Sequence, residues 1–193
     1  MSLAIRGVSG SGKSTLLEVA AGLRRPDCGE VPVNGHLVSG LDDGARSALR
    51  LHQLGLVFQA DELLPELTVF ENVSLPLRLA GADRAETNRR VAEVLDRFRV
   101  SDLAERRTHE VSGGQLQRAA IARAIVHRPA AVLADEPTAS LDEETAWNAM
   151  SLLVDTVTSA GAAVLVVTHD KALAQTCDVH AVLQDGRLET GAI

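Results

Sequence analysis

Short apolar runs alternate along the chain with longer amphipathic stretches, and each run stops at a turn or a polar residue. Residues 3–5 lead into a glycine-rich loop, and residues 54–58 stop at Gln59. Residues 130–134 stop at Asp135, 162–167 at Thr168, and 181–183 at Gln184. Near-continuous apolar runs of this kind predict strands buried on both faces of a parallel sheet. Between them the apolar positions recur with the helical period. Residues 13–23 form one predicted helix, and Val91, Val94, Leu95 and Phe98 share one face of a second. Residues 115–127 form a third, stopped by Pro129. Residues 143–159 form a fourth, with Trp147, Met150, Val154 and Val157 on one stripe and Gly161 just past its end. Strand and helix in alternation predict an α/β fold that binds ligands at the carboxyl ends of its strands.

Two stretches depart from that rhythm. Residues 29–38 hold two short extended pieces around Asn34-Gly35, a hairpin signal. Residues from about 60 to 109 are mostly helical in pattern and read as a helical subdomain inserted into one domain that spans residues 1–193.

Composition narrows the function. At 46% hydrophobic and 23% charged residues the chain is an ordinary globular one. The net charge of −7 argues against a general nucleic-acid binder, which needs clustered Lys and Arg. Residues 84–107 are rich in Arg, but Asp83, Glu86, Glu93, Asp96, Asp102 and Glu105 interleave with them, as on a solvated helical face. Cys28 and Cys177 fit no metal or redox spacing, which suits a reduced, cytoplasmic setting. No apolar run approaches the roughly 18 residues that span a bilayer.

The chemistry begins at Gly7-Val-Ser-Gly-Ser-Gly12-Lys13-Ser14, a full match to G-x-x-x-x-G-K-[ST]. Glycines let backbone N–H groups turn inward around a β-phosphate, and a helix starting at Lys13 adds its positive N-terminal dipole. Lys13 supplies a mobile cation to the β- and γ-phosphates, and the Ser14 hydroxyl is a Mg²⁺ ligand. The pattern arises by chance in about 1% of chains of this length. Here it also follows a strand and opens a helix, so a nucleoside triphosphate is the expected ligand, with ATP foremost.

Asp135 and Glu136 arrive at the end of a buried strand. Alone, such a pair reads as a solvated loop. Beside a phosphate loop, Asp135 reads as a group that reaches Mg²⁺ and Glu136 as the base that polarises an attacking water. Ser112-Gly113-Gly114-Gln115 precedes a helix and has two readings: a capping box of Ser112 with Gln115, or a second anion site at a helix N-terminus. Two such helix starts and one phosphate loop in one chain are reconciled by a head-to-tail dimer. In it each nucleotide lies between the loop of one copy and Ser112 of the other. Ser140 and Glu143 form a further expected capping box.

Taken together, the phosphate loop, Gln59, Ser112-Gly-Gly-Gln115, Asp135-Glu136, Ser140-Leu-Asp142 and Thr168-His169-Asp170 resemble, in order and spacing, the ATP-binding subunits of ABC transporters. The resemblance runs over essentially the whole chain. It implies a P-loop NTPase fold with a mainly parallel core sheet, an inserted helical subdomain and an antiparallel β-subdomain. It also implies a Mg²⁺-dependent ATPase that drives a transmembrane permease, works as an ATP-sandwich homodimer, and sits at the inner face of the membrane. Membrane contact would come only through the permease. By the same resemblance, Gly7, Ser9, Gly10, Ser11, Gly12, Lys13, Ser14 and Thr15 hold the nucleotide. Gln59 senses the γ-phosphate side and joins Ser14 and Asp135 at Mg²⁺. Ser112, Gly113, Gly114 and Gln115 close over the partner's ATP, Asp142 crosses the interface, and His169 contacts the γ-phosphate and acts with Glu136 and Lys13 in catalysis.

Within the family, Leu56-Val-Phe58-Gln59, Leu63-Leu-Pro65 and Glu71-Asn-Val73 resemble the lipoprotein-release and macrolide-export subgroup. Residues 63–79 would then carry the groove for a permease helix. Val111 and Leu116 depart from the family pattern. So does the start, where members carry a further segment with an adenine-stacking aromatic ahead of the phosphate-loop strand. The expected antiparallel subdomain is therefore truncated. Two other classes stand beside the transport reading: a nucleotide-binding scaffold, and an ABC ATPase acting outside transport.

Overall fold

A computed structural model describes residues 1–58 and 63–190. Its strands are β1 (Ser2–Arg6), β2 (Pro32–Val33), β3 (His36–Leu37), β4 (Leu54–Val57), β5 (Ala131–Asp135), β6 (Ala163–Thr168), β7 (Val179–Gln184) and β8 (Arg187–Thr190). Its helices are α1 (Lys13–Ala20), α2 (Asp43–Gln53), α3 (Val69–Leu79), α4 (Arg84–Arg97), α5 (Gly113–Ile125), α6 (Glu143–Ser159) and α7 (Lys171–Ala174). Among the described residues the main sheet runs β4-β5-β6-β1-β7-β8. The five strands from β4 to β7 are parallel, and β8 returns antiparallel to β7. The expected hairpin is present as the β2–β3 pair, turning through Asn34 and Gly35 in left-handed conformations.

The apolar runs are strands because both of their faces are covered. Alternate residues enter two cores: Ala4, Val132, Ala134, Val164 and Val166 face one, Ile5, Leu133 and Val167 the other. The first core is closed by α3, α4, α5, α6 and α7, the second by α1 and α2 through Leu17, Ala21 and Leu49. Ile5 and Leu17 are almost wholly buried, and each such side chain contributes about 1.5–3 kcal/mol.

The pattern anticipated α6 to the residue, and the structure corrects its stripe and adds a helix. Trp147 is 41% exposed, so the buried stripe of α6 runs through Met150, Leu153, Val154 and Val157 instead. Residues 43–53, unassigned from pattern, form α2, capped by Asp42, whose Oδ1 accepts from Ala45 N–H at 2.8 Å. In residues 63–79 the side chains divide: Leu63, Val69, Val73 and Leu77 are core, while Leu64 and Leu79 are exposed. Thr68 starts α3 with a capping box to Glu71, and the chain continues through Pro76 inside that helix. Asn72, wholly buried, holds the preceding loop by accepting from Leu64 N–H at 2.7 Å and donating to the carbonyls of Leu64, Leu67 and Thr68.

β4 sits directly on α5. A Cβ at Gly55 would lie 2.1 Å from the Ala124 carbonyl oxygen, so no other residue fits without moving backbone. At the end of the same contact His127 Nε2 meets the Leu54 carbonyl at 3.1 Å, which fixes the proton on Nε2. His127 Nδ1 is buried with no hydrogen-bond partner. Burial pushes the imidazole below its ordinary value of 6.5, partly offset by the Leu54 carbonyl. A base with a depressed folded-state pKa is bound by more protons when unfolded. Its contribution is therefore complete above pH 6.5 and is lost as pH falls below that value toward the folded pKa. Denaturant melts at pH 7.5 and 5.5 should show a larger acid loss of stability for the native chain than for His127→Gln. Equal losses would place the acid sensitivity elsewhere.

Candidate active site

All five parallel strands point their carboxyl ends the same way, so the turns that follow β1, β5 and β6 meet at one edge. The register fixes which groups are neighbours. Arg6 pairs with Thr168 and Asp135 with Val167, which sets Gly7 beside His169 and Glu136 beside Thr168.

Gly7, Ser9, Gly10, Ser11 and Gly12 form the loop out of β1, and Lys13, Ser14 and Thr15 open α1. Gly7 is required by close approach, since a Cβ there would meet Ser11 Oγ at 2.5 Å and the Leu183 carbonyl at 2.7 Å. Gly12 caps the helix at φ 98°, a left-handed conformation that side chains resist. Lys13 is buried and curls back over the loop, its Nζ donating to the carbonyls of Gly7 and Val8 at 2.9 and 3.1 Å. Ser11 Oγ is buried without a hydrogen-bond partner, while Ser14 and Thr15 are exposed. Beside the loop opens a cavity of about 660 Å³ lined by Arg6, residues 7–11, His169 and residues 182–186.

Asp135 ends β5 and is 7% exposed. The next residue, Glu136, turns at φ 46°, a conformation that costs a non-glycine residue about 1–3 kcal/mol and persists only when its surroundings impose it. They do so here through four hydrogen bonds. Glu136 N–H donates to the Val167 carbonyl at 2.9 Å, extending the ladder. Its Oε1 accepts from His169 N–H at 2.8 Å and meets His169 Nδ1 at 2.7 Å, and its Oε2 accepts from Thr168 Oγ1 at 3.0 Å. An ionised carboxylate only accepts, so His169 carries a proton on Nδ1. The carboxylate is largely buried and the imidazole largely open to solvent.

The remaining candidates lie elsewhere. Ser112 starts α5 in a capping box with Gln115, whose Oε1 accepts from Ser112 N–H at 3.1 Å. Ser112 and Gly113 are exposed, and none of Ser112, Gly113, Gly114 and Gln115 lines the cavity at the phosphate loop. Asp142 is exposed and caps α6, its Oδ1 accepting from Thr145 N–H at 3.0 Å. Hydrogen bonds from Thr145 hold the Asp142 carboxyl below its ordinary range. This replaces the expected Ser140–Glu143 box: Ser140 Oγ donates instead to Gln117 Oε1 at 2.7 Å. Gln59 lies outside the described residues.

Pattern reading named Thr168 only as part of a motif and missed its hydroxyl as a Glu136 partner. It also missed the β7–β8 turn as a wall of the cavity. A hydroxyl closing an apolar strand run was the available signal for the first. The turn has none, because it is brought to the loop by sheet order.

Comparison with known proteins adds four findings. A family model described as ABC transporter matches residues 1–139. The lipoprotein-releasing system ATP-binding protein LolD of Saccharophagus degradans is 44% identical over 191 residues, 99% of this chain and 82% of the relative. LolD of Maricaulis maris is 46% identical over 185 residues, 94% of this chain and 80% of the relative. The dimeric post-hydrolysis structure of the ATP-binding cassette MJ0796 bound to ADP and Pi superposes with a TM-score of 0.89 at 38% identity, covering 97% of this chain and 84% of that one. With a phosphate loop, a held carboxylate and this coverage, the chain belongs to the ABC transporter family, as an ATP-hydrolysing cassette subunit.

Proposed function

We propose that this chain powers a membrane permease by closing head to tail with a second copy around two ATP molecules, which it then hydrolyses. The observation that carries the reading is the division of the predicted site. The phosphate loop, Glu136 and His169 share one edge, whereas Ser112–Gln115 sit at a different helix start, with Ser112 and Gly113 exposed, and line no part of that cavity. A second copy supplies what the first lacks. The dimeric cassette MJ0796 supports that arrangement, and the relatives named for lipoprotein release support a permease partner of that subgroup.

Within the site the loop N–H groups and Lys13 bind the phosphates, and the α1 N-terminus adds its dipole. Among the described residues no group of three His, Cys, Asp or Glu forms a metal cage. The hydroxyl of Ser14 and the carboxylate of Asp135 make a hard-oxygen set that suits Mg²⁺, and together with Gln59 they would hold it beside the phosphates. When bound, Mg²⁺ neutralises charge that develops on the phosphate oxygens. Glu136 acts as general base toward the attacking water. Thr168 and the His169 backbone hold its carboxylate, and the His169 ring, donating from Nδ1, keeps Nε2 free to face the γ-phosphate. No helix among the described residues is long and apolar enough to cross a membrane. Contact with the inner membrane face then runs through the permease, at the Asn72-held loop where Leu64 is 46% exposed.

Three outcomes check this reading. Glu136→Gln should lower hydrolysis by about 10²–10⁴-fold with nucleotide binding kept, while Lys13→Ala should weaken binding by about 1.5–3 kcal/mol. Unchanged turnover in Glu136→Gln would assign the base elsewhere.

Glu136→Gln with Mg²⁺-ATP should shift the chain from monomer to dimer in sizing experiments, and a bulky residue at Ser112 should abolish the shift. A dimer that forms equally without nucleotide counts against the sandwich.

Leu67 is half-buried and Phe70 packs against the core, whereas Leu64 is exposed, so Leu64→Glu tests docking without opening the core. It should lose the co-purifying permease in detergent while basal hydrolysis persists. A complex that survives moves the docking surface, and recovery of no permease at all favours the scaffold reading.

A further inference from the structure

The start of α5 and the start of α6 belong to different parts of the chain, yet two contacts join them. Gln117, one turn into α5, is 2% exposed, and its Oε1 accepts from Ser140 Oγ at 2.7 Å. At the tip of the same helix, a Cβ on Gly114 would stand 2.7 Å from Leu141 Cδ2. The absence of a side chain at Gly114 therefore lets Leu141 lie directly against α5. A buried amide needs a partner, since an unpaired one costs about 1–3 kcal/mol. Ser140 provides it from a largely exposed loop.

That loop is itself braced at both ends. Behind it, Ala139 N–H donates to the Glu136 carbonyl at 3.2 Å, and Leu141 N–H to the Thr138 carbonyl at 3.1 Å. Ahead of it, Asp142 is fixed as the cap of α6. The chain from the strained Glu136 to α6 is thus a series of tight turns that meets α5 through Ser140 and Leu141.

We infer that the Gln117–Ser140 hydrogen bond and the Leu141–Gly114 contact form a tie that makes Ser112–Gln115 and Ser140–Asp142 a single preassembled face for the second copy. This rests on the head-to-tail assembly proposed above and adds to it two positioning residues, Gln117 and Ser140. Two independent segments would each have to be ordered when the dimer closes, at a cost in conformational entropy. Tied, they are ordered once, in the free chain. Gln117 and Ser140 touch neither nucleotide nor water in this scheme, so they act on dimer affinity and not on nucleotide affinity of the single chain.

The test uses the Glu136→Gln chain as parent, with Ser140→Ala, Gln117→Leu, the double variant and Ser140→Thr. Three quantities are read: the Kd of a fluorescent ATP analogue for the monomer, the dimer dissociation constant in Mg²⁺-ATP by sedimentation, and Tm. Each single loss should raise the dimer constant about tenfold, the size that one hydrogen bond of ordinary net strength gives. The double variant should be no worse than the weaker single one, and Ser140→Thr, which keeps the hydroxyl, should restore the parent value. Monomer affinity for the analogue should stay within about twofold, below the factor expected for any lost contact. If the variants dimerise like the parent, or the single effects add as independent ones, the tie is refuted and the assembly reading stands. A fall in Tm with no change in dimer constant also refutes it, leaving a structural role. If the parent itself does not dimerise with Mg²⁺-ATP, the assembly reading fails and the tie falls with it.

Discussion

The parallel ladders joining β5 to β6 and β6 to β1 bring Gly7, Glu136, Thr168 and His169 together at the phosphate edge. Asp135 opposite Val167 and Thr168 opposite Arg6 bring three turns, separate in sequence, into one line. A one-residue slip in either ladder would turn Thr168 to the other face and take the hydroxyl from Glu136. The two cores resist such a slip, because alternate strand residues are buried on opposite sides and each would exchange its surroundings.

That rigidity is used at Glu136. Its left-handed backbone is unfavourable, and its carboxylate is largely withdrawn from water. Hydrogen bonds from the Thr168 hydroxyl and from the backbone and ring of His169 offset both costs. Charge-assisted bonds of this kind are stronger than neutral ones and fix direction as well as energy. The carboxylate is therefore oriented by the protein's own hydrogen bonds. The same holds for Lys13, whose ammonium is already gathered into the loop by two carbonyls.

At the starts of α5 and α6, the proposed dimer face, the design differs. The starts of α5 and α6 are exposed, capped by their own side chains, and joined through Gln117, Ser140, Leu141 and Gly114. One end of the turn series leads to Glu136 and the other to Asp142, so the proposed base and the proposed interface share a short covalent path.

Much of this was legible in the sequence because it depends on local order. The phosphate loop is a run of contiguous residues whose glycines and lysine carry their own geometry, and the strand runs, the Asn34-Gly35 turn and α6 follow from periodicity and turn chemistry. The α/β class and the carboxyl-edge location of the site follow from alternation alone. Other features needed the tertiary structure. Ser140 has the spacing of a cap with Glu143, but Asp142 sits closer to the helix start, and Ser140 turns to a glutamine 23 residues away. Trp147 lies on the right period and is still exposed, because the helix meets the sheet along a stripe displaced from it. The turn 182–186 lines the cavity through sheet order, and the Thr168 hydroxyl finds Glu136 through register. A linear pattern fixes which residues share a face of one element, but which faces meet is decided by packing and pairing between elements distant in the chain.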